Sequence, residues 1–297
     1  MRSLLFVPGD SEKKLVKAIE TEADCLLVDL EDSVVPDAKP AARDMTTAYL
    51  KEHMAREVRP ELYVRINSLD TRFWEDDLAV VMAGRPEGLL MPKAANGEEV
   101  AQLSIALDLA ESRVGLTPGT TKLIVLTTEV PMAILHMQSF IGASQRLQAL
   151  TWGAEDLSAV LGSSTNRQPD GNWTSPYRLA RDLCLITAAA GDVAAIDTVF
   201  TNYRDQDGLA REAQEAARDG FAGKMAIHPA QVPVINEAFT PSTEDVARAE
   251  GIVAAFAEQG DVGVVGLGNE MLDRPHLRRA ERVLERARLG EASRSRS

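Results

Sequence analysis

Two carboxylates in the middle of the chain, Glu129 and Asp156, have the types and the setting of a hard-cation site. Each follows an apolar run: KLIVLTTEV carries Glu129 just past a strand-like stretch at 122–128, and RLQALTWGAED carries Asp156 past another at 147–152. Residues 132–143 between them predict a helix, so the unit reads β-α-β. A right-handed crossover makes the two strands parallel and close, and brings both carboxylates to one carboxyl-terminal edge. Oxygen ligands converging on one rim suit a divalent cation. Magnesium is commonly held by one or two protein carboxylates, with water and substrate oxygens completing its octahedron. The competing expectation is local: Glu129 caps the following helix and Asp156 sits in a turn.

The elements that must position such a pair repeat along the chain. A buried-looking run at 4–7 stops at Pro8-Gly9-Asp10, and a helical pattern through Leu15, Ala18 and Ile19 follows. Residues 26–30 predict a second strand running into Glu31 and Asp32, which with Asp29 make the densest acidic knot in the sequence. Then come a helix at 39–54, a strand at 62–66 carrying Arg65, a helix at 73–83 and a strand at 88–91 ending at Pro92-Lys93. Asn96, with Glu99 three residues on, has the form of a helix-capping box. Past the central pair, a polar loop at 162–174 is long enough to cross over a site. Ser175 as cap and Pro176 at the first helical position open the next helix, which Gly191 ends. Leu179, Leu183 and Ile186 predict its apolar face, with Cys184 packed close by. Strands at 195–200 and 224–227, a helix at 208–219 and a last helix at 231–238 complete the repeat.

Eight strands alternating with helices over about 240 residues match the (β/α)8 TIM barrel, with a doubly wound open sheet as the alternative. The barrel is favoured because polar candidates follow many different strands, as a ring of loops around one mouth requires. Asp10, Glu31, Asp32, Lys93, Glu129, Asp156 and His228 all fall just past strand ends, and Arg65 lies near one. Beyond Pro241 the repeat stops. The expected organisation is a barrel at 1–240 and a helical extension at 241–297. The extension holds an amphipathic helix at 242–258, a glycine-rich hinge at 260–268, a basic helix starting at Asp273 with Pro275 behind it, and a disordered end, GEASRSRS.

Composition limits the function classes. With 45% hydrophobic residues, the 297-residue chain has enough core for one large α/β domain with an appendage, or for two domains. A net charge of −13 argues against nucleic acid or an anionic membrane surface as partner, and leaves room for a local basic patch that meets phosphates. Cys25 and Cys184 are too few for a disulfide framework, and no CxxC or Cys/His cluster suggests zinc. The first apolar run is too short for a signal peptide, and no stretch approaches a membrane span, so the expected setting is cytoplasmic.

The motifs LLFVPGD, LLVDLEDSV, KPAAR, YVRIN, GLLMPK, WGAEDL and GKMAIHPAQV, in this order, resemble the citrate lyase beta-subunit-like branch of the aldolase and citrate lyase superfamily. The resemblance runs from about Arg2 to Phe239. The later segment MLDRPHLRRA resembles the stand-alone malyl-CoA and citramalyl-CoA lyases of that group. The resemblance implies a magnesium-dependent (β/α)8 barrel, usually a homotrimer, that cleaves or forms 3-hydroxyacyl-CoA thioesters. It makes Glu129 and Asp156 the metal ligands, with Asp29, Glu31 and Asp32 holding metal-bound waters or orienting the ligands. Arg65 would clamp the carboxylate or oxo group of a 2-oxo acid, a task suited to a planar guanidinium. Lys14 and Lys93 become candidates for contact with the phosphates or carboxylate of the coenzyme A thioester. Asp273 becomes the catalytic acid/base, supplied by a mobile tail that closes over the mouth of a neighbouring subunit.

Two departures stand against the family pattern. Val130-Pro131 follow Glu129 where many members have small residues, and Ser11-Glu12-Lys13-Lys14 stand where several carry arginine. The expected activity is an acyl-CoA lyase giving acetyl-CoA and a 2-oxo acid. The alternatives are a malyl-CoA-type thioesterase, a citrate lyase beta subunit acting on a carrier-protein thioester, and a non-catalytic CoA-binding barrel. His228, ahead of Pro229, reads as a hydrogen-bonding rim residue, and Trp152 as a packing wall.

Overall fold

Period-two alternation sorts the first eight strands into an inner and an outer face. In the computed structural model, β1 (Ser3–Pro8), β2 (Cys25–Asp29), β3 (Glu61–Arg65), β4 (Gly88–Met91), β5 (Lys122–Leu126), β6 (Leu147–Thr151), β7 (Ala194–Asp197) and β8 (Gly223–Ala226) close into a barrel in chain order. Every neighbouring pair is parallel, and β8 returns to β1. The (β/α)8 barrel expected from the repeat is therefore the fold, and the open-sheet alternative is not. Leu4, Leu27, Tyr63, Leu90, Ile124, Ala149, Ile196 and Met225, one from each strand, share the interior cluster. A Cβ on Gly88 would come within 2.1 Å of Tyr63 Cε1, so only glycine leaves room for that ring.

The same alternation aims the rim. Asp29 lies two residues beyond Leu27, and Arg65 two beyond Tyr63; both therefore point inward at the carboxyl-terminal edge, opposite each other in register. Ile196 and Met225 face in, so Asp197 and Lys224 face the helix layer. The structure describes residues 1–260 and 262–294.

The helices of the barrel are α1 (Glu12–Ala18), α2 (Lys39–His53), α3 (Phe73–Val81), α4 (Gly97–Arg113), α5 (Pro131–Leu135), α6 (Glu155–Leu161), α7 (Ser175–Ala190) and α8 (Gln206–Asp219), with α9 (Val232–Phe239) after β8. Asn96 caps α4, its Oδ1 accepting from the backbone N–H groups of Glu98 and Glu99. Three local expectations are corrected. The helix expected at 132–143 is a single turn or so, α5, followed by a 3-10 turn at Met137–Phe140, because His136 leaves helical geometry between them. In α7 the residue at the cap position is Thr174 rather than Ser175. Its buried stripe is Tyr177, Ala180, Arg181, Cys184, Thr187 and Ala188, while Leu179 and Ile186 are 55% and 63% exposed. Small residues let this helix lie close to the barrel. Cys184 is free and buried, and burial pushes its thiol up to about 12, which fits packing rather than chemistry.

The chain divides into two units, Met1–Ile235 and Asn236–Ser297. In the second, Ser242 and Asp245 form a capping box at the start of α10 (Thr243–Gln259). The glycine-rich stretch expected as a hinge instead pairs as an antiparallel hairpin, β9 (Val264–Leu267) and β10 (Glu270–Asp273), with Gly268 left-handed in its two-residue turn. Ala249, Ile252, Phe256, Val265, Leu272 and Ala280 make this unit's own core, which includes α11 (Arg274–Arg294). The helix continues through Gly290–Arg294 of the segment expected to be disordered; the last three residues lie outside the described residues. Among the described residues no helix is long and apolar enough to cross a membrane.

Candidate active site

Asp29, the last residue of β2, organises the loop that follows it. Its carboxylate accepts the backbone N–H groups of Glu31 at 2.9 Å and Ser33 at 3.1 Å, and takes a two-pronged bond from Arg65 Nε and Nη2, both at 2.7 Å. Burial alone raises such a carboxyl, but the Arg65 fork and the two N–H donors outweigh it and hold Asp29 below its ordinary value. Arg65 Nη1 also stands 2.9 Å from Glu31 Oε2, an oxygen that no donor meets in hydrogen-bond alignment. Beneath the turn, Lys39 Nζ donates to the carbonyls of Leu30 and Glu31 at 2.8 and 2.9 Å, and Asn67 donates to Leu30 at 3.0 Å. Neither Lys39 nor Asn67 is among the residues expected from sequence to matter, although KPAAR contains the first and YVRIN the second.

Across the rim, Lys93 sits two residues past β4 with φ 51°, the left-handed conformation that costs a β-carbon-bearing residue strain. That turn aims its backbone N–H at Glu129 Oε2, 2.7 Å away, and its side chain inward, where Nζ lies 2.5 Å from Glu31, 3.0 Å from Asp32 and 3.6 Å from Asp156. Asp156 is in the first turn of α6, where the helix dipole favours an anion. Glu129 is 3% exposed. Burial, then the charges of Glu31 and Asp156, push its carboxyl up to about 8, and burial pushes Glu31 to about 7 against the pull of Arg65 and Lys93. Gly153, just past β6, makes this packing possible: a Cβ there would lie 2.9 Å from Glu129 Cγ and 3.0 Å from Leu126 Cδ2.

The donor set fits magnesium. Among the described residues Glu129 takes one hydrogen bond, on Oε2, leaving Oε1 free to ligate. Its mutual repulsion with Asp156 is the kind that a dication relieves. No three Asp, Glu, His or Cys side chains among the described residues form a protein-only metal cage. Two carboxylates completed by water and substrate oxygens suit magnesium, and not a four-ligand structural zinc site. A cavity of about 430 Å³, lined by Phe6, Arg65, Glu129, Asp156, Val199 and Met225 among others, opens at this rim, a volume ordinary for a small-molecule site.

The segment carrying these residues, 2–229, matches the HpcH/HpaI aldolase/citrate lyase family. The chain belongs to that family. It is 34% identical to the citrate lyase subunit beta of Haemophilus influenzae, over 97% of this chain and 97% of that protein. It is 32% identical to the mitochondrial citramalyl-CoA lyase of Rattus norvegicus, over 95% of this chain and 85% of that protein. Among solved structures, it resembles CitE from Mycobacterium tuberculosis in complex with magnesium, acetoacetate and coenzyme A, with TM-score 0.77, 32% identity, and coverage of 96% of this chain and 97% of that one.

Not every candidate joins the cluster in this member of the aldolase/citrate lyase family. Lys14 stands exposed on α1 and makes no ion pair among the described residues, and Asp10 is exposed in the turn after β1. Lys93, expected to meet the coenzyme, has its ammonium engaged by the acids. His228 is a rim cap, as its sequence setting suggested: Nδ1 accepts from Ala230 N–H at 3.1 Å, and the ring stacks on Tyr203. Trp152 is fully buried, its indole N–H donating to Asp197 at 2.8 Å. Asp273 belongs to the second unit, exposed at the end of β10 with His276 against it. A larger cavity, about 670 Å³, lies between α7 and α8. Two of its arginines are already paired, Arg167 with Glu212 and Arg181 with Asp219, and it holds no group of the acid cluster.

Proposed function

We propose that the chain is a magnesium-dependent acyl-CoA lyase that cleaves or forms a 3-hydroxyacyl-CoA such as citramalyl-CoA or malyl-CoA, with acetyl-CoA and a 2-oxo acid on the other side of the reaction. The observation that carries this is Glu129 buried with a free oxygen beside Asp156, in a cavity that Arg65 also lines. The citramalyl-CoA lyase and citrate lyase beta relatives support carbon–carbon bond chemistry on a thioester. Glu129 and Asp156 would hold the ion. Magnesium supplies Lewis-acid polarisation and a template for the carboxylate and adjacent oxygen of the 2-oxo acid.

The chain's own groups do the rest. Arg65, locked by the Asp29 fork, places a fixed positive charge beside that carboxylate, so no reorganisation is needed as charge develops. Glu31 and Asp32, tied by Lys93, orient waters at the rim, and Lys93 acts as their counter-ion rather than as a phosphate contact. Phe6, Val199 and Met225 give the cavity an apolar wall that excludes water from the thioester. Asp273, on an extension that serves as lid to a neighbouring subunit of a homotrimer, gives a proton to the enolate carbon in cleavage and removes it in condensation. Mass-resolved product analysis with magnesium and stereoisomers of malyl-CoA and citramalyl-CoA tests the assignment. Acetyl-CoA plus a 2-oxo acid is the expected outcome. Free CoA plus an intact hydroxy diacid would replace lyase by thioesterase, and turnover only of a carrier-protein thioester would make the chain a citrate lyase subunit.

A further inference from the structure

β10 ends at Asp273 and α11 begins at Arg274, so the chain turns into the helix at this residue. The Asp273 backbone N–H donates to His276 Nδ1, as the reciprocal bond of a helix-capping box does, and this folds the histidine ring back over the Asp273 carboxylate. The ring contact goes beyond capping. His276 Nδ1 lies 2.5 Å from Asp273 Oδ1 and 3.3 Å from the Asp273 backbone nitrogen. A bare imidazole nitrogen and a carboxylate oxygen both present lone pairs and do not approach to that distance. One proton therefore lies between Nδ1 and Oδ1, owned by the ring or by the carboxyl group. Glu or Gln is the usual residue at this position of a capping box, where the side chain only accepts the backbone N–H. Histidine there adds a ring whose two nitrogens can each hold or release a proton. The side chains of Asp273 and His276 are 51% and 42% exposed, so water reaches the pair.

We propose that His276 is the proton partner of Asp273, through which its carboxyl group exchanges a proton with water, so that the extension delivers an Asp–His dyad rather than a lone carboxylate. The inference rests on Asp273 being the acid/base. In cleavage the proton shared by Nδ1 and Oδ1 leaves Oδ1 for the enolate carbon, the vacated Nδ1 takes a replacement from water, and the substrate hydroxyl releases its own proton to water, so the net proton count is unchanged. In condensation the path runs backward: Nδ1 gives the shared proton up to water, the C–H proton goes to Oδ1 and is shared with Nδ1, and the new hydroxyl takes a proton from water. His276 touches Asp273 and not the reacting carbon, so it is a positioning and relay residue.

The test is His276→Asn, which keeps an N–H near the Nδ1 position but cannot carry a proton. With magnesium and citramalyl-CoA as the probe substrate, kcat should fall about 100-fold with KM unchanged, and imidazole added to the buffer should restore at least part of the loss. Asp273→Asn should stay inactive with or without imidazole. Near-normal turnover by His276→Asn overturns the proposal. So does a loss that imidazole leaves unchanged while the thermal melt stays native, because that is what a purely structural cap predicts. Normal turnover by Asp273→Asn, by contrast, would remove the acid/base assignment itself.

Discussion

Glu129 is shaped by four neighbours in three ways: Lys93 N–H binds one oxygen, Gly153 yields the space for its side chain, and Glu31 and Asp156 raise the free energy of its charge. Glu129→Gln and Asp156→Asn should each abolish magnesium-dependent turnover and manganese binding followed by paramagnetic resonance, with the thermal melt retained. Unchanged turnover in both would end the metal assignment. Gly153→Ala is a sharper probe, since the added methyl meets Glu129 Cγ at 2.9 Å. It should cost about 1–3 kcal/mol of stability by overpacking and weaken manganese binding at least about tenfold by displacing the carboxylate. Manganese affinity equal to wild type would show that Glu129 tolerates the crowding. Glu129 and Asp156 are legible as strand-end carboxylates; Gly153 is not, because its role is a clash that exists only after β5 and β6 are paired.

Buried ion pairs hold the elements at both ends of the barrel. On the outer face, Lys224 of β8 is fully buried and donates to Asp197 of β7 at 2.6 Å and Glu212 of α8 at 2.8 Å. At the opposite edge, Arg146 Nη1 and Nη2 donate to both oxygens of Glu111, at the end of α4, at 2.8 and 2.6 Å. The same carboxylate takes the N–H groups of Thr121 and Gly119 ahead of β5. Burial pushes Glu111 up, but the Arg146 bonds and these N–H donors outweigh it and bring its carboxyl to about 2 from an ordinary 4.5. A depressed carboxyl stabilises the fold above its unfolded pKa and loses that effect as pH falls through its folded one. Glu111→Gln, which leaves buried Arg146 with only the half-exposed Asp108 as counter-charge, should therefore cost up to about 3–5 kcal/mol in urea unfolding at neutral pH. The gap to wild type should narrow as pH falls from 4.5 towards about 2. A gap independent of pH would mean that Glu111 acts by shape alone.

At the scale of the whole molecule, the proposed site needs a barrel and an extension, and the proposed homotrimer with a shared lid would draw them from different chains. Size-exclusion chromatography with light scattering should give a trimer. Mixing and refolding Glu129→Gln with Asp273→Asn subunits should then regenerate activity that neither variant has alone. Random assortment gives an intact barrel facing an intact extension in about a quarter of sites. Zero recovery in a properly mixed trimer would place the extension over its own barrel.

The sequence by itself determined the barrel, because strand and helix periodicities are local and eight repeats admit few packings. It also placed the acidic residues at strand ends, where a closed parallel barrel must bring them to one mouth. The pairing of Asp29 with Arg65 follows from register, two steps along the inward faces of adjacent strands. Tertiary structure alone decided the rest. The apolar residues of α7 suggest a buried face at Leu179 and Ile186, yet close approach to the barrel favours the stripe of Ala180, Cys184 and Ala188. The glycines near 263–268 read as a hinge, yet hairpin pairing and the packing of Val265 and Leu272 against Phe256 make them a sheet. Lys93 looks like a free cation beside a strand end. Its left-handed backbone turns it inward, because the carboxylates it neutralises arrive from the loops of two other strands and no local pattern records them.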